Sequence, residues 1–294
     1  MTDVATQVYR SLQRLARARG RGTQQVMELY VHERLLARVA ASQFADRLTL
    51  KGGMLLAALD VRDVTRDADL LARAIDNDAA TVGAVVAEIA AVDLGDGLVF
   101  GAQEITTSVM REDDDYQGLR IRVPVRLATA RLVAQLDINF GDPIAGEPMR
   151  VGGMFVDGVE QATSFMLNAY RVEDVLAEKI ATMIDRGDLN TRERDFSDVW
   201  LIGHQISVRG DRLTQALHAT VAHRGHQLTP LAERLHTIAS DRQSSWDRYR
   251  EVLGHTGLPS SYADVVAFCI SFADPVISDD VADREWSPDR GSWS

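Results

Sequence analysis

Three aspartates are spaced as the metal ligands of a phosphoryl-transfer site would be. Asp67 and Asp69 lie two residues apart on a predicted strand, so alternation directs both carboxylates to one face. Asp137 stands among apolar residues of a second predicted strand, 132–140. Carboxylates this close repel one another, and a divalent metal such as magnesium, which prefers hard oxygen ligands, would relieve the repulsion. Metal ions held there could stabilise the attacking and leaving oxygens of an in-line displacement.

A pair of glycines precedes these aspartates. Gly52 and Gly53 separate a predicted strand from a short predicted helix, fifteen residues before Asp67. Glycine allows the backbone to approach a phosphate, and the first N–H groups of a helix can bind one. By itself, however, the pair is explained as well by a plain turn, just as an isolated Asp-x-Asp is common on protein surfaces.

Lysine is rare in this chain: Lys51 and Lys179 are the only lysines among 32 basic residues. An ammonium is a compact point charge that suits a phosphate oxygen, and it differs in this from the planar fork of arginine. Chance could also leave two lysines, so their rarity is an indication and not a proof.

Lys179 is followed by a second acidic motif. It falls on a helix predicted over residues 172–187, and Asp195 and Asp198 share one face of the next predicted helix. The alternative is an exposed face of surface salt bridges, which would contribute little to stability.

Taken in order, these motifs resemble a known family. Gly-Gly, Thr-x-Asp-x-Asp, a strand aspartate before Phe-Gly-Asp, the acidic helix segment that ends in Lys179 and Arg-Asp-x-x-Asp follow one another over residues 45–205. The order is similar to that of the AbiEii-type nucleotidyltransferase toxins of type IV toxin–antitoxin systems, which include the MenT toxins. The resemblance implies an α+β fold, with a polymerase-beta-like nucleotidyltransferase domain (a mixed sheet flanked by helices) followed by an all-helical domain.

The resemblance also implies the chemistry. It implies magnesium (Mg²⁺), a nucleoside triphosphate (NTP), transfer of nucleotides to the 3′ end of tRNA, and a cognate antitoxin. By position, Asp67, Asp69 and Asp137 correspond to the metal ligands, and Lys179 and Asp198 to catalytic residues of the second domain. The candidate nucleotide contacts are Lys51, Gly52, Gly53, Thr65, Arg66 and Lys179.

The periodicity along the chain supports two domains. Residues 4–19 and 23–43 have helical spacing, and residues 97–156 alternate with period two as strands do. Pro124 indicates an edge or a bulge in one of these strands. From about residue 170 the pattern is helical. We therefore expect a nucleotidyltransferase domain, a helical domain and an acidic flexible tail over residues 1–165, 166–273 and 274–294.

Composition limits the classes of function. A net charge of −11 argues against a protein that coats nucleic acid indiscriminately. No segment has the pattern of a membrane span or a signal peptide, so we expect a cytoplasmic protein. The single cysteine, Cys269, lies in an apolar run and is expected to be a buried, inert thiol.

Arginines offer candidate contacts with RNA or with the antitoxin. One group alternates along a predicted strand, and the other is the set of seven arginines in residues 1–40, which a solvated helix face would also explain. Two other functions remain open: a nucleotidyltransferase with a small-molecule or protein acceptor, and a non-catalytic module that binds nucleotide or antitoxin. The strand arginines are Arg120, Arg122 and Arg126.

Overall fold

In the computed structural model, the chain forms two compact units, Met1–Tyr170 and Arg171–Ser294. The boundary between them lies where the sequence pattern changes from strands to helices. The sequence predicted this division near residue 165. The structure describes residues 3–61, 67–112, 116–141, 144, 146–153, 164–253 and 257–294. None of the helices in these ranges is both long enough and apolar enough to cross a membrane.

The described residues of unit 1 form four α-helices and a large sheet. The helices are α1 (Val4–Ala18), α2 (Thr23–Ala41), α3 (Gly52–Ala58) and α4 (Ala79–Ala90). The strands are β1 (Leu48–Lys51), β2 (Ala68–Ala72), β3 (Leu98–Phe100), β4 (Thr106–Glu112), β5 (Tyr116–Leu127), β6 (Ala130–Phe140), β7 (Glu147–Gly152) and β8 (Ser164–Ala169).

The sheet is mixed, as the sequence predicted. Its order is β3-β5-β6-β2-β1-β8-β7, and β4 also pairs with β5. The strand β2 runs parallel to β6 and antiparallel to β1, so the middle of the sheet joins segments that are distant in sequence. The apolar side chains of β5 that alternate with its arginines are buried, which explains the period-two pattern.

Pro124 lies within β5 rather than at an edge strand. The pairing of β4 with β5 ends at Arg122, and the pairing of β3 with β5 begins at Val125. Proline has no N–H to donate to a ladder, and here it occupies the gap between two partner strands. Its carbonyl still accepts a hydrogen bond from the Gly101 N–H, at 2.7 Å.

Unit 2 is mostly helical but also has a small sheet. Its helices are α5 (Val172–Arg186), α6 (Glu193–Gln205), α7 (Gly210–His223), α8 (Ile238–Asp241), α9 (Gln243–Leu253) and α10 (Tyr262–Ile277). Three short strands, β9 (Val208–Arg209), β10 (Glu285–Ser287) and β11 (Ser292–Trp293), pair in the order β11-β10-β9.

The acidic carboxyl-terminal segment is packed, in contrast to the flexible tail that the sequence predicted. Trp286 is buried, and its indole N–H donates to the Gly203 carbonyl at 2.6 Å. The indole N–H of Trp293 donates to the carbonyl of Phe272 at 3.0 Å. Two large aromatic side chains therefore anchor a segment whose charge suggested disorder. Cys269 is buried as predicted, and burial raises the pKa of its thiol.

Candidate active site

A row of charged residues crosses four neighbouring strands of unit 1. Lys51 on β1 pairs with Asp69 on β2, Asp69 pairs with Asp137 on β6, and Asp137 pairs with Arg120 on β5. Residues paired in this way project from the same face of the sheet, and adjacent strands are about 4.8 Å apart. The structure thus brings Asp69 and Asp137, 68 positions apart in sequence, to adjacent positions.

Asp67 joins this row from the residue before β2. It is half-buried, and its charge acts on Asp69. The two neighbouring candidates for nucleotide contact, Thr65 and Arg66, lie outside the described residues.

Asp69 is the residue whose ionisation is most affected. Its pKa is raised to about 7, chiefly by burial and secondly by the charges of Asp67 and Asp137, while Lys51 and the N–H of Gly53 act in the opposite direction. Burial and the neighbouring carboxylates thus both favour the neutral form of this group. A divalent cation bound there would favour the ionised form.

The two glycines pack directly against Asp69. Gly52 has a φ of 63°, in the left-handed region, and a Cβ there would overlap the Asp69 carboxylate. The N–H of Gly53 donates to Asp69 Oδ2 at 3.3 Å. Glycine is thus required at position 52 because backbone and carboxylate approach each other closely, and the predicted nucleotide loop forms one wall of the carboxylate site.

Lys51 provides a positive charge next to Asp69. Its side chain is buried, its ammonium lies 5.1 Å from the centre of the Tyr170 ring, and its charge lowers the pKa of Asp69. The structure therefore places Lys51 as a counter-charge of Asp69.

Arg120 binds Asp137 through both of its oxygens. Arg120 Nε donates to Oδ1 at 2.8 Å, and Nη2 donates to Oδ2 at 2.6 Å. The sequence had offered Arg120 as an RNA contact. Because a bidentate pair fixes both the position and the plane of a carboxylate, the structure makes Arg120 the partner that orients Asp137.

The three aspartates have the chemistry of ligands for a hard cation, although their side chains are not arranged around one common point. Asp67, Asp69 and Asp137 supply oxygen ligands of the kind magnesium prefers. Across the described part of the chain, no group of three or more His, Cys, Asp or Glu side chains is arranged to hold a metal ion. Both oxygens of Asp137 face Arg120, so its carboxylate would have to share them to become a ligand.

A second charged cluster lies in unit 2. Lys179 Nζ is 2.9 Å from Asp195 Oδ1 and 2.7 Å from Asp198 Oδ2. The Asp198 side chain is 1% exposed and that of Lys179 is 13% exposed, so this is not a surface salt-bridge face. The structure brings Lys179 and Asp198 together, and it adds Asp195, which the sequence had placed on the same helix face but not among the site residues.

The sequence model of the family described as nucleotidyl transferase AbiEii toxin, type IV toxin–antitoxin system, matches residues 34–267. This chain belongs to that family. It is therefore a nucleotidyltransferase toxin, and the family implies a nucleoside triphosphate substrate and an antitoxin partner. No curated protein sequence matches the chain.

A solved structure shares the fold of this AbiEii-family enzyme. MenT4, the nucleotidyltransferase toxin Rv2826c from Mycobacterium tuberculosis H37Rv, is 16% identical with a TM-score of 0.50, over 95% of this chain and 97% of that chain. JHP933 from Helicobacter pylori is 15% identical with a TM-score of 0.48, over 86% of this chain and 94% of that chain.

His32 is a buried residue of this AbiEii-family enzyme that no sequence motif indicated. It is 1% exposed on α2, and its Nε2 accepts from the backbone N–H of Gln135 at 3.2 Å. Its Nδ1 must then carry the proton that is shared with the Glu28 carbonyl, at 2.8 Å. Burial lowers the pKa of His32, although the charge of Asp67 opposes this. The neutral imidazole therefore links α2 to β6 by hydrogen bonds, two residues along β6 from Asp137.

Two of the seven amino-terminal arginines are buried in ion pairs and are not available to contact RNA. Arg38 is buried in a bidentate ion pair with Asp96, at 2.6 and 2.9 Å, and Arg34 is buried beside Glu33 at 2.7 Å. These two side chains hold the core of unit 1. Four of the remaining five are exposed on α1 or at its carboxyl-terminal end, namely Arg10, Arg14, Arg17 and Arg19. The fifth, Arg21, is half-buried.

Proposed function

We propose that this nucleotidyltransferase transfers a nucleotide from a nucleoside triphosphate to the 3′-hydroxyl of tRNA, with magnesium held by Asp67, Asp69 and Asp137. The observation that carries the proposal is the pairing of Asp69 with Asp137 across β2 and β6, where burial and the repulsion of Asp67 and Asp137 raise the pKa of Asp69 to about 7. Buried carboxylates that repel one another are costly unless a cation joins them.

In the reaction, the oxygen of the 3′-hydroxyl forms a bond to the α-phosphorus, and the bond to pyrophosphate breaks. Bound magnesium would neutralise charge on the attacking and leaving oxygens. Asp67 and Asp69 would present ligands from β2 and the residue before it, and Asp137, on the adjacent strand β6, would accept the hydroxyl proton. Arg120 keeps the plane of Asp137 fixed for that transfer, because it binds both carboxylate oxygens.

Lys179 is proposed as a contact of the triphosphate. Its ammonium is shared between Asp195 and Asp198, and the cluster carries a net charge of about −1 if all three groups are ionised. Lys179 must therefore exchange one of these carboxylates for a phosphate oxygen when the nucleotide binds. Asp198, the more deeply buried of the two, is the partner that would stay and aim the lysine.

The test is a transfer assay. The purified protein is incubated with total tRNA and each of four α-labelled triphosphates, with magnesium or with EDTA. We expect label at the 3′ end of tRNA, which disappears with EDTA, with Asp69→Asn, or when the 3′-terminal diol has been oxidised by periodate. Asp46→Asn, at an exposed position of unit 1, serves as the control variant.

Other results would contradict the proposal. Label on a small molecule or a protein, with none on tRNA, would identify a different acceptor. Binding of triphosphate without transfer to any acceptor would indicate a non-catalytic module.

A further inference from the structure

One face of the β5–β6 hairpin extends away from the carboxylates as an open strip. Beyond the pair Arg120 and Asp137, the register places Arg122 opposite Gln135, Pro124 opposite Val133, and Arg126 opposite Arg131. We call these last three pairs the hairpin face. Arg122, Arg126 and Arg131 are exposed, and Val133 is 51% exposed, whereas the apolar side chains on the other face are buried.

The hairpin face begins with a pocket next to the carboxylate row. The pocket has a volume of about 320 Å³ and is lined by Glu28 and His32 of α2 and by Arg122, Val133 and Gln135 of the hairpin. Gln135 is two residues from Asp137, so the pocket opens about 7 Å along the strand from a catalytic carboxylate. It combines one apolar side chain with several hydrogen-bonding groups, which could fix the orientation of a small polar ring.

The hairpin face ends in two like charges. Arg126 and Arg131 are directly opposite each other in the ladder. Like charges in that position destabilise a sheet. The protein as a whole has a net charge of −11, so these exposed arginines stand out against an acidic background. An anion that binds both guanidinium groups explains why the pair is tolerated.

We propose that the hairpin face binds the single-stranded 3′ end of the acceptor RNA. The terminal nucleoside occupies the pocket beside Asp137, the next bases lie on Pro124 and Val133, and phosphates further from the end contact Arg126 and Arg131. This inference rests on the proposed function, because it takes RNA as the acceptor, and it adds the path of that RNA over the protein.

The dimensions favour an oligonucleotide over a small acceptor. Arg131 is six residues from Asp137, which is about 20 Å along a strand. Stacked nucleotides advance about 3.4 Å each, so the strip accommodates about six stacked nucleotides and fewer extended ones. Surfaces that bind single strands without reading their sequence combine positive charge with side chains against which bases stack, most often aromatic ones. On the hairpin face, Pro124 and Val133 take that place between the arginines.

The experiment compares two double variants of the whole protein. Arg126→Ala/Arg131→Ala removes the paired arginines, and Arg47→Ala/Arg150→Ala removes two other exposed arginines of unit 1. Binding of a fluorescent single-stranded RNA octamer is measured over a range of salt concentrations, and KM is measured for RNA and for triphosphate. Removal of a like-charge pair does not threaten folding, which thermal unfolding verifies.

We expect the first variant to raise the octamer Kd and the KM for RNA roughly tenfold, as the loss of two exposed ion pairs would. The slope of log K against log salt should fall by about 1.4, because each phosphate contact on a single strand contributes about 0.7. The KM for triphosphate should not change. A dinucleotide acceptor, which does not reach Arg126, should be used equally well by this variant and by the wild type.

Three outcomes separate this inference from the proposed function. If RNA is labelled but both double variants bind the octamer alike, the path is refuted while the function stands. If the octamer depends on Arg126 and Arg131 but no label reaches RNA, the path stands and the function fails. If an oligoglutamate of equal charge displaces the octamer as well as RNA does, the face binds acidic chains in general, and the assignment to RNA is overturned.

Discussion

Replacing Asp69 with asparagine should stabilise the metal-free protein above neutral pH while it abolishes transfer. In the folded protein the pKa of Asp69 is about 7, compared with an ordinary value of 3.8, chiefly because the carboxyl is buried and secondly because Asp67 and Asp137 repel its charge. At 1.36 kcal/mol per pKa unit, the ionised form costs the folded state about 4 kcal/mol. Asparagine keeps the shape and an oxygen for the Gly53 N–H but carries no charge.

The pH dependence has a definite sign. Below about pH 4 the carboxyl is protonated in both the folded and the unfolded chain, so the substitution should have little effect on the free energy of unfolding. Between pH 4 and pH 7 only the unfolded chain loses the proton, so wild-type stability falls as the pH rises. Above pH 7 the whole cost is present, and the advantage of Asp69→Asn should approach its full value of about 4 kcal/mol.

The assay is denaturant unfolding in EDTA at pH 5, 6, 7 and 8, with Asp46→Asn as the control for the loss of one exposed carboxylate. Added magnesium should restore wild-type stability at pH 8 and should affect Asp69→Asn much less. A variant that is no more stable than the wild type at pH 8, or whose advantage does not change with pH, would refute the electrostatic account of the site.

Two further substitutions test the glycine wall and the lysine cluster. Gly52→Ala should abolish transfer and destabilise unit 1 in thermal unfolding, because its Cβ would overlap Asp69. The control is Gly95→Ala, which has a φ of 61° but open space around it and should cost only the backbone strain of about 1 kcal/mol. Equal effects of the two substitutions would disprove the steric argument. Lys179→Ala should lower the free energy of unfolding by about 3 kcal/mol, because it removes the cation between two buried carboxylates. Lys179→Arg should fold and retain partial transfer. Full transfer by the arginine variant would show that the ammonium is not required.

The strands that carry the aspartates were predictable from the sequence, because the alternation of apolar and polar residues along a strand can be read from a few neighbouring residues. Asp67 and Asp69 needed only alternation to be placed on one face, and the alternating arginines of β5 needed only the same rule. The other predicted site residues came from the resemblance of the motif order to the AbiEii family, and the family match over residues 34–267 confirmed that resemblance.

The partner of Asp137 was not predictable, because it depends on the register of the hairpin. The two-residue turn between β5 and β6, Ala128-Thr129, contains none of the glycine, asparagine or proline residues that mark turns, yet Ala128 has a φ of 51°. Without that turn, nothing in the sequence pairs Arg120 with Asp137. A shift of one residue would have placed Arg120 on the other face.

His32 and the carboxyl-terminal segment were missed for other physical reasons. A single histidine on a helix that is buried on all sides has no periodic signal, and its role depends on a backbone N–H of a strand a hundred residues away. The carboxyl-terminal strands are two and three residues long, too short for any period, and they are fixed by Trp286 and Trp293.

The close approach of Gly52 to Asp69 ties two positions together in evolution. A side chain at position 52 cannot be accommodated while an aspartate occupies position 69, so the glycine is constrained only as long as the carboxylate is. A copy of this gene that has lost its activity is released from both constraints at once. Among relatives, a residue other than glycine at position 52 should therefore mark the proteins that no longer transfer nucleotides, whatever the state of the rest of their sequence.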